Sequence, residues 1–97
     1  MTEYYQGKDI GIRFDVFKDG KPEKALSAGV SVYTPDKRFI KDSAKTPGTE
    51  VRYILKGKNV EKSGEYVFVF DVSVRGMGFI THVVNVEVKK LPVEGKK

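Results

Sequence analysis

The residues able to carry out chemistry are few and scattered along this sequence. His82 is the sole histidine, and the chain contains no cysteine. A metal site or a nucleophilic site needs several such groups held at a defined spacing. Asp19, Asp36 and Asp42 lie in predicted loops without the dense alternation of oxygen ligands found in a calcium loop. The sequence therefore predicts no catalytic residues, no metal ligands and no cofactor, and we expect a protein that is not an enzyme.

The segment RGMGF, residues 75–79, is the one glycine-rich stretch that resembles a phosphate-binding loop. Such a loop requires a strand before it and a helix after it. Strand-like patterns flank this segment on both sides, so its glycines are expected to form a turn. Met77 then lies at the tip of the turn, where an exposed methionine is an adaptable contact residue.

The net charge of +5 is distributed unevenly along the chain. Residues 89–97 carry four lysines and one glutamate, so this tail holds most of the excess, while the rest alternates in sign as a solvated surface does. A basic stripe with interleaved aromatic residues is missing, which disfavours a nucleic-acid partner. No apolar run approaches the length of a membrane span, and the N-terminus lacks the apolar core of a signal peptide. We therefore expect synthesis in a cytoplasm and no membrane contact.

Alternation of apolar and polar residues predicts β-strands through most of the chain. The predicted strands cover residues 9–18, 28–33, 38–41, 49–56, 65–74 and 79–88. Turn signals separate them, among them DGKP at 19–22 and TPDK at 34–37. About seven strands with no helix between them predict an all-β protein, an antiparallel β-sandwich over residues 9–88. Residues 1–8 are then an N-terminal arm and residues 89–97 a basic C-terminal tail.

The strand at 65–74 is apolar on both faces. Tyr66, Phe68 and Phe70 are expected to point into the core, which leaves Val67 and Val69 on the outside. Across the predicted hairpin, Val83 shares that outer face, while His82 falls by parity on the inner one. An apolar sheet exterior of this kind favours contact with another protein. The alternatives are that the valines reflect β-propensity on a central strand, or that an arm of the same chain covers them. The remaining contact candidates lie in the two arms: Tyr4, Tyr5, Leu91 and Val93.

Three features of the chain form one pattern: the first strand with its DGKP turn, the segment AGVSVYTPDK, and VEKSGEYVFVFDV leading into a strand that ends VNVEV. The resemblance is to the immunoglobulin-like domains of bacteriophage virion proteins, such as capsid-decoration, head-fibre and upper-baseplate proteins. It implies that Tyr66 forms a corner, with its hydroxyl bonded to backbone upstream. It also implies a place in the virion after synthesis in the host cytoplasm, with other capsid or tail subunits as partners.

Several functions are compatible with these features. The first hypothesis is a non-enzymatic structural protein of a phage particle, an auxiliary protein that decorates the capsid surface. A tail, baseplate or head-fibre adaptor is the alternative within that class, and a homo-oligomer is a further partner class. The alternative from another class is a carbohydrate-binding β-sandwich, which would display Tyr33, Phe39 and Tyr53 on one face.

Overall fold

The computed structural model describes residues 3–91, which form a two-layer β-sandwich. A short 3-10 helix over Gly57–Asn59 precedes the last two strands. The strands are β1 (Tyr4–Tyr5), β2 (Ile10–Asp15), β3 (Phe17–Lys18), β4 (Lys21–Pro22), β5 (Ala25–Tyr33), β6 (Phe39–Ser43), β7 (Glu50–Leu55), β8 (Gly64–Val74) and β9 (Gly78–Lys89).

The larger sheet has five strands in the order β1-β9-β8-β5-β6, and the smaller sheet pairs β2 with β7. The β8–β9 pair is the predicted hairpin, with Phe68 opposite Val84. Strand β5 pairs with both β8 and β6, so the chain enters the larger sheet, leaves it for β7, and returns at β8. The prediction of an all-β sandwich is confirmed.

Two features depart from the predicted antiparallel sandwich. Tyr4 and Tyr5 run parallel to β9, opposite Val88 and Lys89, so the larger sheet is mixed. Residues 4 and 5, expected in an arm, and Lys89, expected in the tail, thus belong to the sheet. β1 pairs here because the edge of β9 has backbone N–H and C=O groups that need hydrogen-bond partners.

The DGKP segment, predicted to end a strand, forms the turn of a small β-hairpin. Asp19 and Gly20 both have positive φ, 53° and 79°, as the turn of a two-residue hairpin requires. This turn joins β3 to β4 and places Pro22 opposite Phe17. Proline is tolerated there because the pair stands outside the two main sheets, in a separate ladder.

The core lies between the two sheets and follows the predicted alternation. Tyr66, Phe68 and Phe70 on β8 are fully buried, and Tyr53 of β7 packs edge-on against both phenylalanines. Val60, in the loop before β8, is also fully buried and fixes that loop to the sandwich. Burial of such large side chains is the main stabilising contribution in a chain without disulfides.

The sandwich has two distinct ends. The corner end contains Tyr66, Val60 and the 3-10 helix, while the hairpin end contains the β8–β9 turn and the β3–β4 hairpin. At the hairpin end, the Lys18 ammonium donates a hydrogen bond of 2.8 Å to the carbonyl oxygen of Arg75. This bond holds the small hairpin against the β8–β9 turn.

Candidate functional site

The outer face of the larger sheet carries a continuous apolar surface. Val67 lies opposite Tyr33 on β5, and Tyr33 lies opposite Phe39 on β6. One row further along, Val69 lies opposite Val83 on β9. Side chains on one face of neighbouring strands are in contact range in this arrangement. We call the five residues Tyr33, Phe39, Val67, Val69 and Val83 the outer patch.

The outer patch is accessible. Val83 is 54% exposed, Phe39 53% and Tyr33 49%, whereas Val67 and Val69, on the central strand, are half-buried. The rings of Tyr33 and Phe39 pack together with centroids 5.1 Å apart and planes inclined by 50°. The patch therefore has an aromatic part toward β6 and an aliphatic part toward β9.

Charged residues of both signs border the outer patch. Glu65 and Glu87 lie directly opposite each other in the row beyond Val67, toward the corner end. Lys41 lies at the β6 edge, opposite Ser31, in the same row as Val69. Both glutamates are exposed to solvent, and like charges placed directly opposite are mildly destabilising.

The predicted contact residues do not all come together. Val67, Val69 and Val83 share the outer patch, but Met77, 44% exposed, is at the tip of the β8–β9 turn, beyond the polar row of Asp71 and Thr81. Leu91 is 47% exposed beside Gln6, whose side-chain oxygen accepts its amide hydrogen at 3.3 Å. Val93 lies outside the described residues.

The two N-terminal tyrosines are not on a projecting arm. Both are half-buried, and Tyr4 packs against the core. The Tyr5 hydroxyl donates to the Glu3 carboxylate at 2.6 Å, which raises the pKa of Tyr5 and lowers that of Glu3. Lys89 also binds Glu3, at 3.1 Å. These residues hold β1 to the sheet, and their contacts are within the chain.

The carbohydrate hypothesis required three aromatic residues on one face, and that set is wrong in one member. Tyr53 is only 7% exposed and points into the core. Its hydroxyl donates to the Asp42 carboxylate at 3.0 Å, and burial together with this bond raises the pKa of Tyr53 to about 12. Tyr33 and Phe39 alone remain as an exposed aromatic pair.

Tyr66 has the geometry of a tyrosine corner. Its hydroxyl donates to the carbonyl oxygen of Lys62 at 2.6 Å and accepts from the amide of the same residue at 3.3 Å. Burial is the main reason that the pKa of Tyr66 is raised. The contact fixes the chain as it crosses from β7 to β8, so Tyr66 has a structural role away from the outer patch.

His82 has an aromatic environment. Its ring lies 4.2 Å from the ring of Phe14, which in turn packs edge-on against Phe70 at 5.1 Å. Parity places His82 on the inner face, as predicted, yet its side chain is exposed. Within residues 3–91, no group of three or more histidine, aspartate or glutamate side chains could hold a metal ion.

The sequence did not reveal that Tyr33 and Phe39 extend the valine surface. The alternation along 28–33 places Tyr33 outside, but parity within one strand does not give the register between strands. The pairing of Tyr33 with both Val67 and Phe39 is what joins the two groups.

Comparisons with known proteins give a fold but no family. No protein-family model matches the chain, and no curated protein matches it. A crystal structure of a candidate glycoside hydrolase from Bacteroides vulgatus is similar, with a TM-score of 0.61 and 13% identity. The similarity covers 95% of this chain and 17% of that protein. At this identity it shows the fold alone. Across residues 3–91, no helix is long and apolar enough to cross a membrane.

Proposed function

We propose that this protein is a non-enzymatic binding module that attaches to a larger protein assembly through the outer patch. The observation that carries the proposal is the continuous row of Val67, Tyr33 and Phe39 beside Val69 and Val83 on one sheet exterior. The specific role that we propose, from the resemblance to phage immunoglobulin-like domains, is an auxiliary protein that decorates the capsid of a virion.

The physical basis is burial of exposed apolar area at a defined place. Three of the five patch side chains are about half exposed, so contact with a partner removes them from water. Lys41 on one border and the Glu65–Glu87 pair on another then fix the orientation on the partner, since rim charges govern specificity more than affinity. Binding at many equivalent sites stabilises an assembled shell by mass action.

The test is co-sedimentation with capsids assembled from the capsid subunit encoded by the same genome. We expect the wild-type protein to sediment with the capsids and Val83→Glu to bind at least tenfold more weakly, because the substitution buries a charge in the contact. Leu26→Glu is the control, since Leu26 is 59% exposed but lies at the hairpin end of β5. Equal binding of Val83→Glu and wild type contradicts the proposal, and so does the absence of capsid binding. Sedimentation with tails instead of capsids favours the adaptor alternative.

A carbohydrate-binding module is the second candidate, favoured by the exposed Tyr33–Phe39 pair. Aromatic rings on a sheet surface can stack on the apolar face of a sugar, and the similar Bacteroides protein is a candidate glycoside hydrolase. Affinity electrophoresis in gels containing plant and bacterial polysaccharides separates the two candidates. Sugar binding predicts retardation that is lost in Tyr33→Ala and in Phe39→Ala. Retardation by none of the polysaccharides removes this candidate.

A further inference from the structure

The inner face of β9 is covered at one end and open at the other. At the corner end, Val88 is 1% exposed and Val86 7%. Toward the hairpin end, Val84 and Ile80 are only half-buried and His82 is exposed. The residues of β8 opposite these positions are buried throughout; Phe68 and Phe70 are 0% exposed and Val72 2%. The hairpin-end half of β9 is therefore a gap in the cover of the larger sheet.

The cause is a mismatch in width between the two sheets. The larger sheet has five strands, and the smaller sheet that faces it has two. Phe14 of β2 reaches Phe70 and His82, while Tyr53 of β7 packs on Phe68 and Phe70. Tyr4 closes the gap only at the corner end, where its hydroxyl lies 3.5 Å from the carbonyl oxygen of Gly11. Within residues 3–91, no strand follows β2 above the rest of β9.

The edge of β2 that borders this gap presents unpaired backbone groups. Arg52 exchanges both of its backbone hydrogen bonds with Lys45, at 2.8 Å. The backbone N–H and C=O groups of the even-numbered residues of β7 therefore point away from β2. The register then directs the backbone of Ile12 and Phe14 toward β7 and that of Arg13 and Asp15 toward the gap. The Val16 amide donates to the Thr49 carbonyl at 2.9 Å, which also shows that the backbone groups of even-numbered residues in this segment point toward β7. In the described part of the chain, Arg13 and Asp15 have no strand on that side.

Apolar side chains form the floor of the gap. A cleft of about 120 Å³ opens between β2 and β9, and the residues that line it are Phe14, Asp15, Val16, Phe17, Val72, Ile80 and His82. Phe17 is 53% exposed at the upper rim of the cleft. An unpaired strand edge beside an apolar cleft has the two features that an added β-strand uses, main-chain hydrogen bonds and pockets for alternate side chains.

We propose that the edge of β2 and the adjoining cleft bind an extended peptide segment of a partner protein, which becomes the third strand of the smaller sheet. The amide and carbonyl groups of Arg13 and Asp15 pair with the backbone of the segment. Its alternate side chains point down onto Ile80, His82 and Val84. This site lies on a different face from the outer patch and does not depend on the proposed function.

The shape of the molecule selects a peptide segment over a second copy of the chain. Symmetric pairing of two β2 edges requires them to approach to about 4.8 Å. β9 lies beneath this edge, since the ring of His82 packs on the ring of Phe14, and β1 lies beside β9 at the corner end. Pairing of two β2 edges would therefore also have to accommodate two β9 strands side by side. A single extended segment fits, because it occupies the space above β9 without bringing a second sheet.

The site also defines the chemistry of the segment. Tyr4 blocks Gly11, so the open edge comprises Arg13 and Asp15, which bond a segment of about four residues. Positions that face the cleft take side chains of valine or leucine size. The segment must retain its amide hydrogens opposite the open edge, which excludes proline at those positions.

The first test is amide hydrogen exchange of the free protein followed by NMR. We expect the amides of Ile12 and Phe14 to exchange slowly, and those of Arg13 and Asp15 to exchange at least a hundredfold faster. Protection of Arg13 and Asp15 that does not depend on protein concentration means that the chain itself covers the edge. Protection that rises with concentration means that a second copy covers it. Either result overturns the proposal.

The second test adds a probe strand, the blocked peptide Ac-(Thr-Val)3-amide, at millimolar concentration. We expect saturable protection of the Arg13 and Asp15 amides and shifts of the His82 ring signals. Ac-(Pro-Val)3-amide keeps the valines but lacks half of the amide hydrogens, so its binding falls at least tenfold. Failure of the Thr-Val peptide to protect these amides overturns the proposal, as does equal binding of the two peptides.

A matched pair of variants locates the probe on the protein. Ile80→Lys places a charge in the cleft and is expected to weaken peptide binding at least tenfold. Phe79→Lys alters the neighbouring residue, which is 72% exposed on the opposite face, and leaves peptide binding unchanged. Equal effects of the two variants contradict the proposed location. Since the capsid test relies on Val83→Glu and a different readout, failure of one proposal is distinguishable from failure of the other.

Discussion

The two long sides of the sandwich are closed in different ways. On the side of β6 and β7, the chain itself crosses between the sheets: the Ala44 amide bonds the Ala28 carbonyl at 2.9 Å, and Lys45 pairs with Arg52. The Tyr53 hydroxyl then joins Asp42 across the same side. On the side of β9 and β2, Tyr4 covers only the corner end, and the stretch between Phe14 and Ile80 is a cleft.

This difference shows that burial in a sandwich depends on the width of the opposite sheet as much as on side-chain type. Val84 and Val88 have the same side chain, the same strand and the same face. Val84 is half-buried and Val88 almost fully buried, and Val88 has Tyr4 of β1 as its neighbour. The open side is therefore where we propose that a peptide segment binds, whereas the closed side contributes to stability.

The strongest way to test the comparison is to shorten these two valines. We expect Val88→Ala to lower the free energy of unfolding by about 2–3 kcal/mol, through lost transfer energy and the cavity that remains. Val84→Ala should cost less than about 1 kcal/mol, since half of that site already faces water. Urea denaturation of both variants measures the difference. Equal losses would mean that something covers Val84 in solution.

The next effect concerns the corner end. Tyr66→Phe should lower the free energy of unfolding by about 1–2 kcal/mol, because it removes a buried hydroxyl that both donates to and accepts from the backbone of Lys62. Tyr33→Phe is the control, since that side chain is 49% exposed, and it should change stability by less than about 0.5 kcal/mol. Thermal unfolding of the two variants is the measurement. Equal unfolding temperatures of the two variants would show that the tyrosine corner does not stabilise the fold.

The smallest expected effect is a loss of stability at alkaline pH, caused by Tyr53 on the side of β6 and β7. The pKa of Tyr53 is about 12 in the folded protein, and a tyrosine in an unfolded chain has a pKa near 10. The folded state thus holds this proton more tightly, so stability contributed by Tyr53 is complete below pH 10 and declines as the pH rises toward 12. At pH 11 the loss should be about 1 kcal/mol. In Tyr53→Phe the loss of stability between pH 9 and 11 should be smaller than in the wild type but not zero, because the pKa values of Tyr5 and Tyr66 are raised as well. An unchanged loss would refute the assignment to Tyr53.

The sequence predicts the strands well because their signals are local. The alternation in β2, β5, β7 and β8 identified most of the buried residues, and the two glycines at 76 and 78 identified the hairpin. The β1 strand was not predicted, because two tyrosines have no strand period. Their pairing with Val88 depends on a distant edge that only the folded sheet provides.

The candidate surfaces also differ in whether local sequence signals predict them. Val67, Val69 and Val83 follow from parity and one hairpin, which the sequence contains. The addition of Tyr33 and Phe39 requires the register of β5 against β8, and the exposure of His82 requires the width of the smaller sheet. Neither quantity has a local signal in the chain, so both the full outer patch and the cleft beside β2 appear only in three dimensions.

The pairing of β1 with β9 has a consequence for the order in which the protein is made. Lys89 and Glu3 are 86 positions apart and yet form an ion pair at this edge. During synthesis Glu3 leaves the ribosome long before Lys89, so β1 has no partner strand until β9 has been made. Closing so long a loop has a high entropic cost, and a strand as short as β1 offsets little of that cost. We expect β1 to be the last strand to join the larger sheet and the first to detach from it.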